Sequence, residues 1–160
     1  MAIPPETDIW VIGAANPDGL ARATRTNADG VDLNRNFPWR WRASGRPGDR
    51  YYSGPRAQSE PETRILVHLI EHLRPQITIW FHQPYGIVDE SGGDVAVERR
   101  FAALTGLPLR RLPRYTGGVT NWQNANFPGT TAFVVELSPG PASPARVEQF
   151  AHAVVAVAPR

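Results

Sequence analysis

The 160-residue chain contains neither cysteine nor lysine. Without thiols it can form no disulfide and no thiolate metal centre, so a metal would have to be held by imidazole or carboxylate. Without lysine, all 17 basic side chains are guanidinium groups. High-GC coding replaces lysine with arginine and enriches alanine, proline and glycine, so arginine richness alone marks no function. No apolar run approaches the ~20 residues that a membrane span needs. The opening Met-Ala-Ile-Pro-Pro-Glu has neither a basic n-region nor an apolar h-region, so no signal peptide is visible. Arg40, Arg42, Arg46, Arg50 and Arg56 do cluster with Trp39, Trp41, Tyr51 and Tyr52. Basic residues interleaved with aromatics can bind nucleic acid, but coding bias accounts for them, and neither nucleic acid nor membrane is expected as a partner. A net charge of +2 and 41% hydrophobic residues suit one globular domain over residues 1–160.

What the chain does have is a dense polar run, Arg25-Thr-Asn-Ala-Asp-Gly-Val-Asp-Leu-Asn-Arg-Asn-Phe37, just after Asn16-Pro-Asp-Gly19. Arginine offers a planar fork matched to the two oxygens of a carboxylate, and asparagine adds a neutral donor. Arg25, Asn34 and Arg35 converging on one point would recognise the free C-terminus of a peptide. The alternative is a turn-rich loop whose arginines are merely solvated.

Hydrophobic patterning gives an α/β order of elements. Asp8–Ala14 is a short apolar run that fits a buried strand. Residues 15–58, rich in Gly, Pro, Asn and Arg, read as one long functional loop. Ser59-Glu-Pro-Glu62 predicts a capping box with Ser59 as N-cap. The helix it opens puts Ile65, Leu66, Leu69, Ile70 and Leu73 on one face and stops before Pro75. Gln76–His82 is β-branched and aromatic, hence a strand. A helix follows from about Asp94 to Thr105, ended by Gly106, and then a buried strand, Thr131–Leu137. The last helix starts with Ser143 as N-cap and Pro144 at its first position, and runs to about Val157. This order predicts a mostly parallel or mixed sheet flanked by helices, with no internal repeat. In such sheets ligands gather at the C-terminal ends of strands. His82 and Glu136 both fall at such ends.

Asn16-Pro-Asp-Gly19 followed by Gly30-Val-Asp-Leu-Asn-Arg-Asn-Phe37 resembles the signature of the zinc metallocarboxypeptidases, the carboxypeptidase A-like family. The likeness continues in order through Tyr52-Ser-Gly54 with Ser59-Glu-Pro-Glu62, Ile79-Trp-Phe-His82, Gly117-Gly-Val-Thr-Asn-Trp122 and Thr131-Ala-Phe-Val-Val-Glu136-Leu137. It spans roughly residues 8 to 138, and the compact Arg25–Phe37 block looks most like the bacterial branch that cleaves murein peptides. The resemblance implies hydrolysis of a peptide bond beside a free C-terminal carboxylate, with one zinc ion in the complete domain. It implies His82 as a zinc ligand and Glu136 as the catalytic general base. Arg25 would stabilise the oxyanion, a term often worth ~3 kcal/mol per donor. Asn34 and Arg35 would anchor the substrate carboxylate, Tyr115 would close over the substrate, and Thr120 would meet the side chain of the released residue. A small hydroxyl at Thr120 suits a polar residue such as the diamino acid of a murein peptide.

The family's first two zinc ligands come from a His-x-x-Glu motif upstream of Asn-Pro-Asp-Gly. Here fifteen residues precede Asn16 and none is histidine. The chain therefore reads as the later part of a catalytic domain, with weak or no zinc binding and little activity of its own, completed by a missing N-terminal segment or a second chain. In that case Asp8–Ala14 would lack a neighbouring strand. The alternative is a non-catalytic remnant that binds peptide or cell-wall C-termini through the Arg/Asn clamp. His68-Leu-Ile-Glu71-His72 matches a zinc-peptidase helix motif, but it follows the Asn-Arg-Asn block and is expected to be a solvated helix face.

Overall fold

Thr131-Ala-Phe-Val-Val-Glu136 is a strand buried along its whole length. In the computed structural model, which describes residues 3 and 5–159, it is the strand around which a four-stranded sheet is ordered. In chain order the elements are α1 (Pro17–Arg22), a 3-10 turn (Leu33–Arg35), α2 (Pro61–Leu73), β1 (Ile77–His82), β2 (Ile87–Asp89), α3 (Val95–Thr105), β3 (Leu109–Arg110), α4 (Val119–Asn126), β4 (Thr131–Glu136) and α5 (Pro144–Val157). The chain divides into two compact units. One comprises the residues up to Ile9, Gln76–Pro113 and the residues from Phe127 onward; the other comprises Trp10–Pro75 and Arg114–Asn126.

The first unit holds the sheet, in the order β1-β4-β2-β3. β1 and β4 are parallel and in register from Ile77 opposite Thr131 to His82 opposite Glu136. β2 runs antiparallel to β4 and parallel to β3, so the sheet is mixed. Side chains alternate across a strand. The odd positions of β4, Phe133 and Val135, enter the apolar cluster with Val88, Phe101, Leu107, Phe150 and Val157. Phe101 meets the Phe133 ring edge-on at 5.5 Å, and Phe81 meets Phe150 edge-on at 6.0 Å. This packing seats α3 and α5 on one face of the sheet. Both helices start and stop as their sequences predict. Asp94 caps α3 and Gly106 ends it in the left-handed region, while Ser143 caps α5 ahead of Pro144.

The second unit holds α1, the 3-10 turn, α2 and α4, so the stretch from 15 to 58 is not structureless throughout. The expected capping box does not form. Pro61 occupies the first helical turn, which moves the N-cap to Glu60, and no side chain caps it. The Ser59 hydroxyl instead donates to Glu60 and accepts from Asn36, while Glu62 accepts from the Asn27 amide. The buried face of α2 runs through Thr63, Leu66, Val67 and Ile70, and Ile65 is 65% exposed. The expected strand at Asp8–Ala14 is also absent. A strand needs a neighbour to take its N–H and C=O groups. Among the described residues no backbone hydrogen bond joins 8–14 to another segment. Val11 is accordingly 84% exposed and Trp10 69%.

Candidate active site

His82 and Glu136 are the last register pair of β1 and β4. Register partners in a parallel pair point to the same face, and both lie opposite the face that carries Phe81, Phe133 and Val135. Nδ1 of His82 is 3.8 Å from Oε1 of Glu136, with Glu136 buried and His82 a quarter exposed. The strand pairing alone thus sets an imidazole beside a carboxylate at the C-terminal end of the sheet. Such a pair can pass a proton or present two ligands to a cation.

In the second unit, the polar run folds around Asp32. This buried residue caps the 3-10 turn, accepting from Asn34 N. Its Oδ2 lies 2.7 Å from Nε of Arg25 and 4.0 Å from Nη1 of Arg35. Nη1 of Arg35 also donates to the Asn34 carbonyl at 2.7 Å. The Asn34 side-chain oxygen accepts from Val119 N at 3.0 Å, which leaves its amide nitrogen as a donor. Burial lowers the pKa of Arg35; Arg25 lowers it further, while Asp32, Tyr115 and Tyr51 oppose the drop. The Arg35 guanidinium lies 4.3 Å over the Tyr115 ring, which is itself half exposed. Thr120 is buried in the first turn of α4. Gly117, at a φ of +71°, lets the backbone pass against Arg35, and its N–H and C=O bond to Trp39 and Phe37.

The structure therefore brings Arg25, Asn34, Arg35 and Tyr115 together in one unit, and His82 with Glu136 in the other. Sequence reasoning overlooked Asp32 and Tyr51. Asp32 has a legible signal, an acid two residues before Asn34 that can cap its turn. Tyr51 shows in the sequence only as one aromatic among many arginines, because only the folded loop carries its ring to Arg25 and Arg35.

The family model for zinc carboxypeptidases (Peptidase_M14) matches residues 2–86, more than half of the chain. The chain belongs to the zinc carboxypeptidase family. Murein peptide amidase A of Escherichia coli K12 is 36% identical over 91 residues, covering 50% of this chain and 38% of that protein. Zinc carboxypeptidase A 1 of Drosophila melanogaster is 32% identical over 151 residues, covering 78% of this chain and 35% of that protein. Among solved structures, the murein-tripeptide amidase MpaA of Escherichia coli O157 aligns with a TM-score of 0.72 at 26% identity, over 91% of this chain and 67% of that one. The chain thus spans well under half the length of these two curated relatives.

A catalytic zinc takes three protein ligands and a water. Among the described residues no group of three or more His, Cys, Asp or Glu could hold a metal ion. His82 and Glu136 alone do not fit a catalytic zinc of the family's kind. The His68 and His72 rings on α2 stack at 6.4 Å, both exposed, and no third ligand joins them. Among the described residues no helix is long and apolar enough to cross a membrane.

Proposed function

We propose that this chain is the substrate-clamping and proton-transferring part of a zinc carboxypeptidase that hydrolyses the peptide bond next to a free carboxylate in murein peptides. The observation that carries the reading is the assembly of Arg25, Asn34 and Arg35 around Asp32, which offers guanidinium and amide donors at one place. Asn34 and Arg35 hold the terminal carboxylate, and Arg25 faces the scissile carbonyl. Tyr115 covers the bound peptide and Thr120 borders the pocket for its last residue. Glu136 takes a proton from the attacking water and returns it to the leaving amine. His82 would supply one zinc ligand, together with ligands that the described residues do not themselves group around it. The murein substrate rests on the likeness to murein peptide amidase A.

The test is murein-tripeptide hydrolysis by the longest in-frame protein that contains this chain, wild type against Glu136→Gln and His82→Ala. The expected loss in kcat for Glu136→Gln is at least about a hundredfold, and His82→Ala is expected to lose zinc on dialysis. Turnover that survives Glu136→Gln would overturn the proton-transfer role. A second reading, a binder of peptide C-termini, draws on the same clamp and on the lack of a three-ligand group among the described residues. It predicts saturable tripeptide binding with no turnover in the same assay.

A further inference from the structure

Two guanidinium groups at one clamp repel each other, and a single buried carboxylate neutralises only one of them. The structure supplies a second compensating group. The Tyr51 ring lies 5.1 Å from the Arg25 guanidinium carbon and 5.6 Å from that of Arg35, with Arg50 at 5.6 Å as a third cation. These distances are within the range where the negative face of an aromatic ring attracts a cation. Tyr51 is 48% exposed, so burying apolar surface does not account for its position. Asp32 N also donates to the carbonyl of Tyr52, the residue after Tyr51, at 2.8 Å.

We propose that Asp32 and Tyr51 are positioning residues that brace Arg25 and Arg35 into a preorganised fork, and that the ring of Tyr51 sets how strongly the fork prefers a carboxylate to a neutral terminus. The proposal rests on the clamp reading given above. Asp32 bonds Arg25 through Nε, so the two terminal nitrogens of that guanidinium stay available to a ligand. Arg35 spends Nη1 on the Asn34 carbonyl and keeps its other edge. Without the ring, among the described residues Arg25 would keep only Asp32, and Arg35 only Asp32, the Asn34 carbonyl and the Tyr115 ring. Nothing shared between their faces would then fix their spacing, and a bound carboxylate would have to set it. That reorganisation cost is what preorganisation removes.

The experiment is calorimetric titration of the 160-residue chain with a murein tripeptide bearing a free C-terminal carboxylate and with its C-terminal amide. The readout is the ratio of the two dissociation constants. Wild type is expected to prefer the carboxylate. Tyr51→Leu, which keeps bulk but removes the π face, is expected to cut that preference about tenfold. Tyr51→Phe should retain it, and Asp32→Asn should reduce it. A purely structural role would lower the melting temperature and leave the ratio intact. A wild-type chain without any preference refutes the clamp itself. A wild-type preference that Tyr51→Leu and Asp32→Asn leave unchanged refutes the brace and spares the clamp.

Discussion

Replacing Glu98 by glutamine should remove a pH dependence built into the sheet unit. Glu98 stands on α3 with 0% exposure, and its Oε1 accepts from Ser91 N at 2.9 Å. Burial pushes its carboxyl from 4.5 up to about 7; Asp89 and Glu90 add to the rise, and the backbone N–H groups of Ser91 and Gly93 oppose it. The folded protein therefore holds this proton more tightly than the unfolded chain does. The stabilising contribution is complete below pH 4.5, falls as pH climbs toward 7 and is lost above that. At about 1.4 kcal/mol per pH unit, the span from 4.5 to about 7 corresponds to about 3 kcal/mol. The amide introduced by Glu98→Gln would still offer an oxygen to Ser91 N, without charge beside Asp89. Urea unfolding followed by tryptophan fluorescence from about pH 5 to about pH 8.5 measures the effect. The variant should gain on wild type as pH rises, by up to about 3 kcal/mol near pH ~8. A difference that stays constant within about 0.5 kcal/mol over this range would refute the reasoning.

Two further substitutions test the frame of the clamp. Gly117→Ala puts a Cβ onto the Arg35 carbonyl at a positive φ, so thermal unfolding should show a loss of at least about 2 kcal/mol; an unshifted transition would mean the backbone does not pass there. Asn36 is fully buried, and its amide donates to Ser53 O, Arg56 O and Ser59 Oγ. Asn36→Ala should cost about 2–4 kcal/mol in urea unfolding, because three acceptors lose their donor, and a cost below about 1 kcal/mol would show the loop holds itself without it.

Elements whose signals are local were legible in the sequence. Asp94 with Gly106, and Ser143 with Pro144, mark their own helix ends through side-chain caps and backbone preference. β4 is legible because full burial demands an apolar run, and β1 because its β-branched and aromatic residues suit a half-buried pleated surface. Asp8–Ala14 has the same composition and forms no strand, since pairing depends on a partner that composition cannot reveal. β2 and β3, three and two residues long, are too short to carry a period. At Ser59 the capping pattern was present, but Pro61 decided where the helix begins. His82 and Glu136 stand at strand ends as the pattern suggested, whereas Tyr51 acquires its neighbours only through the folding of a long loop.

The parallel pairing of β1 with β4 ties chemistry to packing. A slip of β1 by one residue would turn His82 toward α3 and α5 and swing Phe81 out beside Glu136. Phe81, whose ring meets Phe101 and Phe150 on the far face while staying 45% exposed, thereby links the register of His82 and Glu136 to the packing of α3 and α5. The same register that seats one ring on the helices therefore also sets the distance between an imidazole and a carboxylate on the opposite face.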